Sequence, residues 1–443
     1  MKTFRMGGIH PSENKLSAGL PIRTLPLPSQ VVVPLSQHIG IPAKLCVEKG
    51  DQLKVGTLIA EADGFVSAAI CSPVSGIVNK IDKVIDSGGY PKPAVFIDVR
   101  GDEWEGYIDR SDILIRDCIL PPSEIIRKIM EAGIVGMGGA TFPTHVKLSP
   151  PPGAKVEMLI VNAVECEPYL TADHALMLEK PDEILVGITL LMKVLNISHA
   201  VIGIENNKKD AIQLFTSKCE TEYPEIEIRP LQTRYPQGGE KQLIEVITGR
   251  RVCSGELPVS TGVVVQNVAT VFAVYEAVQK NKPLIERVVT VTGKQLLNPA
   301  NMRVRIGTPI CVLIDEIGGI PENTGKIISG GPMMGRALIN WDVPVTKGSS
   351  GVLLMSREES DRGKVFPCVR CAKCVSVCPM GLEPYLMASL AMHGEFQQLE
   401  HESVMDCIEC GCCQYTCPSH RPLLDYCRLG KSKVGAMIRS RKK

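Results

Sequence analysis

Over the first hundred positions apolar residues come in short bursts, "VVVPL", "AKLCV", "TLIAEA", "FVSAAI" and "GIVNKI", with Lys49-Gly50-Asp51 and Ser72-Pro73-Val74-Ser75-Gly76 between them. Brief runs divided by turn residues predict the strands of a small all-β module. The period changes at "PPSEIIRKIMEAG", where apolar positions recur at helical pitch behind Ser123 as a cap with acid in the first turn. Helical stretches then alternate with continuous apolar runs such as "MLIVNAV" and "AVIGIE", the signature of buried strands in an α/β domain reaching about residue 282. "RVVTVTG" and "KIISGGPMMG" return to β-type text around a short helical stretch after Pro309, which predicts a third module.

Length agrees with this division, since 443 residues exceed one core and suggest about three domains at roughly 150 residues each. Lys and Arg number 49 against 48 Asp and Glu, so no global field draws nucleic acid, which is excluded as a partner, or an anionic membrane. Hydrophobic residues at 44% with 40 Gly and 32 Pro describe a folded, turn-rich chain. The longest apolar stretch, about Ile184 to Leu195, is interrupted by Lys193 and is too short to cross a bilayer. Met1 to His10 carries no apolar leader or small-residue cleavage site, so the cytoplasm is the expected compartment. In that compartment 17 cysteines are no disulfide framework, and a clustered subset points to metal.

The cluster is explicit. Cys368, Cys371, Cys374 and Cys378-Pro379 recur in spacing as Cys407, Cys410, Cys413 and Cys417-Pro418. Three thiolates at that pitch wrap one four-iron cubane while the fourth, offset, reaches the neighbouring one. One 4Fe-4S cluster is therefore expected on Cys368, Cys371, Cys374 and Cys417, and a second on Cys407, Cys410, Cys413 and Cys378. Zinc modules share Cys-x2-Cys but seldom carry three cysteines at this pitch before Cys-Pro. The linker from Pro379 to Asp406 has apolar residues at helical pitch, so helices bridge the halves. Cys412 is out of register and reads as a spare thiol, and the other eight cysteines, Cys46, Cys71 and Cys166 among them, as small buried hydrophobes.

"GIVGMGGATFPTHVKL", residues 133–148, is glycine-rich but follows a helix, unlike a dinucleotide fingerprint. Gly136, Gly138 and Gly139 can still bring bare N–H groups against a phosphate or a flat ring, and Lys147 can add charge. Glu165 and Glu167 bracket Cys166 directly after an apolar strand, where α/β sheets place ligands, and are the candidate catalytic acids. A cofactor able to hold one or two electrons is also required if a two-electron hydride donor is to meet one-electron clusters, and flavin is suited to that.

Several resemblances sharpen this picture. "VEKGDQLKVGTLIAEA" with "SPVSGIVNKI" resembles the lipoyl/biotinyl hybrid barrel, with Gly64-Phe65 where a carrier would present its lysine, so the module is expected to be a noncarrier docking scaffold. "GMGGATFPTHVK", "VNAVECEPYLTADH" and "VQNVAT" occur in the order seen in the NADH-binding flavoprotein subunits of complex I. From "MGGIHPSENK" and "PLSQHIGIPAK" to both cysteine runs, nearly the full length resembles the family of C subunits of Rnf electron-transport complexes. That likeness implies FMN held by Gly136, Gly138, Gly139, Lys147, Asn162, Asn267 and Thr270. Glu165 and Glu167 would then flank the nicotinamide side, with Glu205 and Glu240 nearby. Val164 departs from it, standing where the complex I motif has an acid. Residues 283–336 resemble the β-grasp module that follows the flavin domain in these proteins.

The expected architecture is thus multidomain α/β plus β. A hybrid-barrel module (1–110) precedes an α/β FMN- and NADH-binding domain (115–282), a soluble-ligand-binding β-grasp module (283–350), a helical two-cluster ferredoxin domain (360–427) and a basic tail (428–443). The resemblance implies a peripheral subunit on the cytoplasmic face of the cell membrane, passing electrons between ferredoxin and NAD(H) through FMN and two clusters. Integral-membrane and ferredoxin-like subunits would be its partners. Two alternatives stand beside it: a soluble corrinoid-reductase-like flavoprotein, and a noncatalytic electron wire whose glycine loop is empty. The tail, with seven Lys or Arg, suits either an anionic membrane surface or a solvated end. His38, His145 and His174 show no partner pattern and read as ordinary polar residues.

Overall fold

The computed structural model describes residues 1–441. Its first 24 residues form an extended strap. Lys2 bridges to Leu231 and Ile9 to Tyr235, and β1 (Ile22–Thr24) adds in parallel to a strand of the third module. The barrel follows, with β2 (Gln30–Pro34), β3 (Lys44–Leu45), β4 (Gln52–Leu53), β5 (Leu58–Glu61), β6 (Ile70–Cys71), β7 (Gly76–Ile85) and β8 (Pro91–Val99) in two small sheets. They close on Val31, Val33, Ile59, Ile70, Val95 and Ile97. Strand β8 pairs with both β2 and β7, and the short-burst reading missed it. "FVSAAI" contributes only Ile70 to a strand, since Phe65 to Ala69 form a loop. The Gly64-Phe65 tip rests on the next domain: Nε2 of His145 bonds the Phe65 carbonyl at 3.0 Å, and the two rings meet edge-on.

The α/β domain opens with α1 (Pro122–Glu131) and the short α2 (Thr144–Lys147). Ser123 is not the cap of α1; the cap position is Pro121, and Pro122 takes the first helical turn, where its missing N–H costs nothing. Then come β9 (Met158–Ala163), α3 (Ala172–Glu179), α4 (Pro181–Leu195), β10 (Ala200–Glu205), α5 (Lys209–Glu222), β11 (Ile226–Leu231), α6 (Glu240–Thr248), β12 (Val263–Asn267) and α7 (Val268–Gln279). The strands run parallel in the order β11-β10-β9-β12. Both faces of β9 are covered, Leu159 and Val161 by the core shared with α4 and α7, and Ile160 by the core shared with α6. This is why its sequence reads as an unbroken apolar run. The chain steps outward from β9 to β11 and then crosses back to β12. The order therefore reverses between β9 and β12, and their carboxyl ends form the crevice where open α/β sheets bind ligands.

In the third module β13 (Glu286–Thr292), β14 (Ala300–Arg305), β15 (Thr324–Ser329), β16 (Arg336–Ala337) and β17 (Gly351–Ser356) join β1 in a six-stranded sheet of order β1-β14-β13-β17-β15-β16, with α8 (Ile310–Glu316) against it. The loop after β15, Gly330 to Gly335, reaches toward the flavin domain. Buried Lys347 ties three modules, donating to the carbonyls of Ala69 at 2.6 Å and Gly133 at 2.7 Å. After α9 (Arg357–Ser360) the cysteine-rich region holds α10 (Lys373–Ser376), α11 (Pro384–His393), α12 (Phe396–His401), α13 (Cys412–Tyr415) and α14 (Leu423–Arg441). The bridge between the cysteine runs is helical, as its pitch predicts. The basic segment after Cys427 is no frayed end within the described residues: it continues α14, burying Gly430 and Val434 against α11 and α12. Lys442 and Lys443 lie outside the described residues.

Candidate functional site

The crevice at the β9/β12 switch gathers most of the predicted flavin residues. Asn162 and Asn267 are register partners at the ends of the two strands. Asn267 caps α7, its Oδ1 accepting from the N–H groups of Ala269 and Thr270, while its Nδ2 donates to Asp173 at 2.7 Å. Thr270 in turn accepts from the N–H of Met137 at 2.9 Å, which draws the glycine loop down onto the start of α7. A Cβ on Gly138 would sit 3.2 Å from the Cβ of Asn267, whereas nothing lies within 4 Å of one on Gly139 at φ +139°. Bare backbone of this kind admits a flat ring or a phosphate where a side chain would stand. Asn162 donates to the carbonyl of Gly238 at 2.9 Å, bringing the "QGGE" turn to the same place. Lys147 ends beside it, 2.7 Å from Glu240 and 3.2 Å from the Val265 carbonyl. The amide Nε2 of Gln266, next to Asn267, is buried without a partner. Glycine backbone, an asparagine pair, a cation and an unpartnered amide suit a polar cofactor with an anionic end.

The acids are placed less simply. Glu165, at φ +48°, turns its carboxylate onto the start of α3, accepting from Asp173 N–H at 2.7 Å and His174 N–H at 3.3 Å. Glu167 accepts from the N–H groups of Met333 and Met334 in the third module and from the Tyr235 hydroxyl, and burial pushes it up to about 7. Both are thus engaged within the protein. Glu205 lies on the other side of the 164–168 loop, in a cavity under the strap that Lys15, Cys166 and Arg234 also line, and burial pushes it up to about 7 as well. Val164 is fully buried and packs in the core shared with α6, as an acid there would not.

Several residues were invisible to sequence reasoning. Lys15, on the strap, donates to the carbonyls of Glu165, Glu167 and Leu170 and so fixes the loop that carries both acids. Asp173 is pushed up to about 6 by burial and by Glu165, with Arg287 and Asn267 opposing. Tyr235 donates to the Cys410 carbonyl at 2.8 Å, and Gln242 reaches the Pro379 carbonyl at 3.2 Å, so the flavin domain touches the second cluster's loops twice. Lys15 and Asp173 stand inside the motifs "MGGIHPSENK" and "VNAVECEPYLTADH", but what they touch is not local: Lys15 reaches 150 residues along the chain and Asp173 meets Asn267. Of the three histidines read as ordinary polar residues without a partner, His38, His145 and His174 are all buried, and Nε2 of His174 is 2.8 Å from Asp210.

The cysteine runs repeat in three dimensions, every position of the second lying 39 residues after its counterpart in the first. Arg370 and Glu409 share φ near +55° and +57°, Ala372 and Gly411 take +58° and +77°, and α10 and α13 follow at matching positions. Alternating right- and left-handed residues aim successive N–H groups inward, a cradle for anionic sulfur. Cys378, Cys407, Cys410 and Cys413, the four expected ligands of the second cluster, line one cavity. A hydrogen bond from Cys427, aided by Glu409 N–H and Lys431, holds the Cys407 thiol down to about 7, and one from Cys412 lowers Cys410. In the other set Cys374 and Cys417 are half-buried neighbours, and Cys368 and Cys371 are exposed. Four cysteines around one void, with the N–H groups of Glu409 and Leu382 3.4 Å from the sulfurs of Cys407 and Cys378, fit a cubane at the second site. Not all the remaining cysteines are buried hydrophobes: Cys219 is, but Cys427, though buried, lines the cluster cavity, and Cys46 and Cys253 are exposed.

Comparison with known proteins decides the family. The model for the RnfC barrel sandwich hybrid domain matches residues 2–102, the Nuo51 FMN-binding domain 129–276, the SLBB domain 288–337 and the 4Fe-4S dicluster domain 362–418. The chain is 46% identical to the C subunit of the proton-translocating ferredoxin:NAD(+) oxidoreductase complex of Clostridium ljungdahlii, over 98% of this chain and 94% of the relative. The chain belongs to this family of Rnf C subunits. Among other C subunits, it is 40% identical to that of the Na(+)-translocating complex of Acetobacterium woodii, covering 99% and 98% of the two chains. It is also 40% identical to that of the ion-translocating oxidoreductase complex of Rhodobacter capsulatus, covering 97% and 82%. A chain of an NAD+-reducing [NiFe]-hydrogenase shares the fold, with TM-score 0.50 and 18% identity over 63% of this Rnf protein, which spans 54% of that chain. The domain order of this Rnf protein is the expected one, and its cofactors are FMN and two 4Fe-4S clusters.

Proposed function

We propose that this chain is the NAD(H)-reacting, peripheral subunit of an ion-translocating ferredoxin:NAD oxidoreductase, exchanging electrons through FMN and two clusters. The observation that carries the reading is the join between sites: the loop after β9 that carries Glu167 is tied, through the Tyr235 hydroxyl, to the loop of Cys410. FMN, when bound, supplies the conversion between a hydride and single electrons. Gly138 and Gly139 offer it bare backbone, while the N–H of Gly136 closes the loop onto the Phe142 carbonyl at 2.8 Å; Asn162, Asn267 and Thr270 fix the floor of its site, and Lys147, balanced by Glu240, supplies the cation for its phosphate. Glu165 and Glu167 act from within the wall, holding the 164–168 loop against α3 and the third module. Glu205 supports the same loop from beneath.

The two clusters then have different surroundings. The first, on Cys368, Cys371, Cys374 and Cys417, faces outward and is the port toward ferredoxin-like or integral-membrane partner subunits. The second, on Cys407, Cys410, Cys413 and Cys378, lies against the flavin domain. Among the described residues no helix is long and apolar enough to cross a membrane, which suits a subunit held at the cytoplasmic face by its partners. Of the two enzyme readings, the near full-length match to C subunits favours this one over a soluble corrinoid reductase. An anaerobic optical and paramagnetic-resonance titration with NADH tests it. Bleaching of flavin and appearance of reduced-cubane signals are expected; a reconstituted chain with FMN and iron that NADH leaves unchanged would instead be a passive wire.

A further inference from the structure

The internal repeat exposes a difference between the two cluster sites. Helix α11 follows the first run and α14 the second, starting at equivalent positions, Pro384 and Leu423. At the 39-residue spacing Ala388 of α11 corresponds to Cys427 of α14, Ser389 to Arg428 and Met392 to Lys431. The second half thus carries three donors where the first carries none of comparable strength.

All three are used. Cys427, Arg428 and Lys431 fall at i, i+1 and i+4 and so share one side of α14. Arg428 bonds Glu409 at 3.2 Å and the Met334 carbonyl at 2.8 Å. Lys431 bonds the Cys407 carbonyl at 2.6 Å and Glu409 at 3.3 Å. These contacts fix the helix against the 407–411 loop and leave Cys427, only 1% exposed, packed in the same small core as Cys407 and lining the cavity of the second cluster with it. A buried thiol in apolar surroundings keeps its proton. Cys407 is a ligand and becomes a thiolate, so of these two cavity-lining sulfurs Cys427 is the one left with a proton to donate.

We propose that Cys427 is a positioning residue that donates its S–H to the Cys407 thiolate and thereby raises the reduction potential of the second cluster, a device the first site lacks because Ala388 stands in its place. The physical ground is general. Reduction adds negative charge to a cubane and its thiolates, hydrogen bonds to those sulfurs stabilise the added charge, and outer donors set the potential as firmly as the ligands do. A site as enclosed as this one disfavours that charge, so the donor offsets the burial.

The inference rests on the two-cluster reading, and the test separates them. The full chain is reconstituted anaerobically with iron and sulfide and titrated potentiometrically by paramagnetic resonance, with Cys371→Ser used to assign the second cluster's signal. Cys427→Ala should leave iron content unchanged and make the second cluster about tenfold harder to reduce, about 59 mV more negative for one electron. Cys427→Ser, which keeps a donor, should recover part of the shift. Ala388→Cys, remote from the second cluster, should move the first cluster positive, and this holds the idea open to refutation even if Cys427→Ala fails to load. Iron uptake with unmoved midpoints in Cys427→Ala overturns the inference alone. So does a first-cluster midpoint unmoved in Ala388→Cys where Cys427→Ala cannot be loaded. A wild-type chain that takes up no iron overturns the reading beneath it.

Discussion

The hydroxyl of Tyr235, in the turn before α6, donates to the main-chain carbonyl of Cys410 over 2.8 Å, across 175 residues of sequence. The same oxygen lies 3.3 Å from Glu167. One buried side chain therefore joins the flavin domain, the loop of the third module that Glu167 holds, and a cluster ligand.

Tyr235→Phe removes that joint while keeping the ring that packs beside Ile9 and Cys412. Leaving the buried Cys410 carbonyl without its donor should cost about 2 kcal/mol. Denaturant unfolding of the loaded chain measures it. Stopped-flow reduction by NADH should show flavin bleaching at the wild-type rate and slower appearance of reduced clusters. Equal slowing of both phases would place Tyr235 in nucleotide binding instead.

Asn267→Ala should release FMN. The substitution strips the cap from α7, at a cost of about 1 kcal/mol, and leaves Asp173 without its 2.7 Å donor beneath the glycine loop. Gly138→Ala, whose Cβ would crowd Asn267 at 3.2 Å, should lower flavin content with little change in stability. Flavin released on acid precipitation, counted per chain, checks both; wild-type occupancy in the two variants would move the cofactor away from the β9/β12 crevice.

Serine in place of Cys371 or of Cys410 should each remove one cluster, lowering iron from about eight to about four per chain. Cys412→Ser should retain both, because Cys412 is out of register with the ligands. Iron and acid-labile sulfide assays decide. Loss of a cluster in Cys412→Ser alone would exchange it for Cys413 as ligand.

Glu205 predicts a pH dependence. Its carboxyl is 1% exposed, and burial pushes it up to about 7 against the opposing pull of Lys208 and the Arg234 N–H. The folded chain therefore binds a proton that the unfolded chain releases near pH 4.3. This contribution is fully present below that value and is lost as pH rises through about 7. Glu205→Gln, with Lys208 still bonded to the Val164 carbonyl at 2.7 Å, should make the fall in unfolding free energy between pH 5 and 7.5 shallower. Parallel curves for wild type and variant would refute the assignment.

The sequence by itself determined whatever is written in contiguous residues. The cysteine spacing names the cluster ligands, because three thiolates on a tight loop are a local geometry. The apolar runs of β9, β10 and β12 declare a doubly covered parallel sheet, and the glycines after α1 declare a close backbone approach. It did not determine what those parts face. That Asn162 meets Asn267, that Lys147 meets Glu240, that a strap lysine holds the loop of the two acids and that Cys427 rather than Ala388 looks into a cluster cavity all follow from strand order and helix docking. Such contacts join residues tens to hundreds of positions apart, and their energies arise only once burial has fixed which surfaces touch. The roles of Glu165 and Glu167 show the difference most plainly. Placement after an apolar strand marked them as functional, yet only the packing of α3 and the third module turned their carboxylates inward, onto the N–H groups of Asp173, His174, Met333 and Met334.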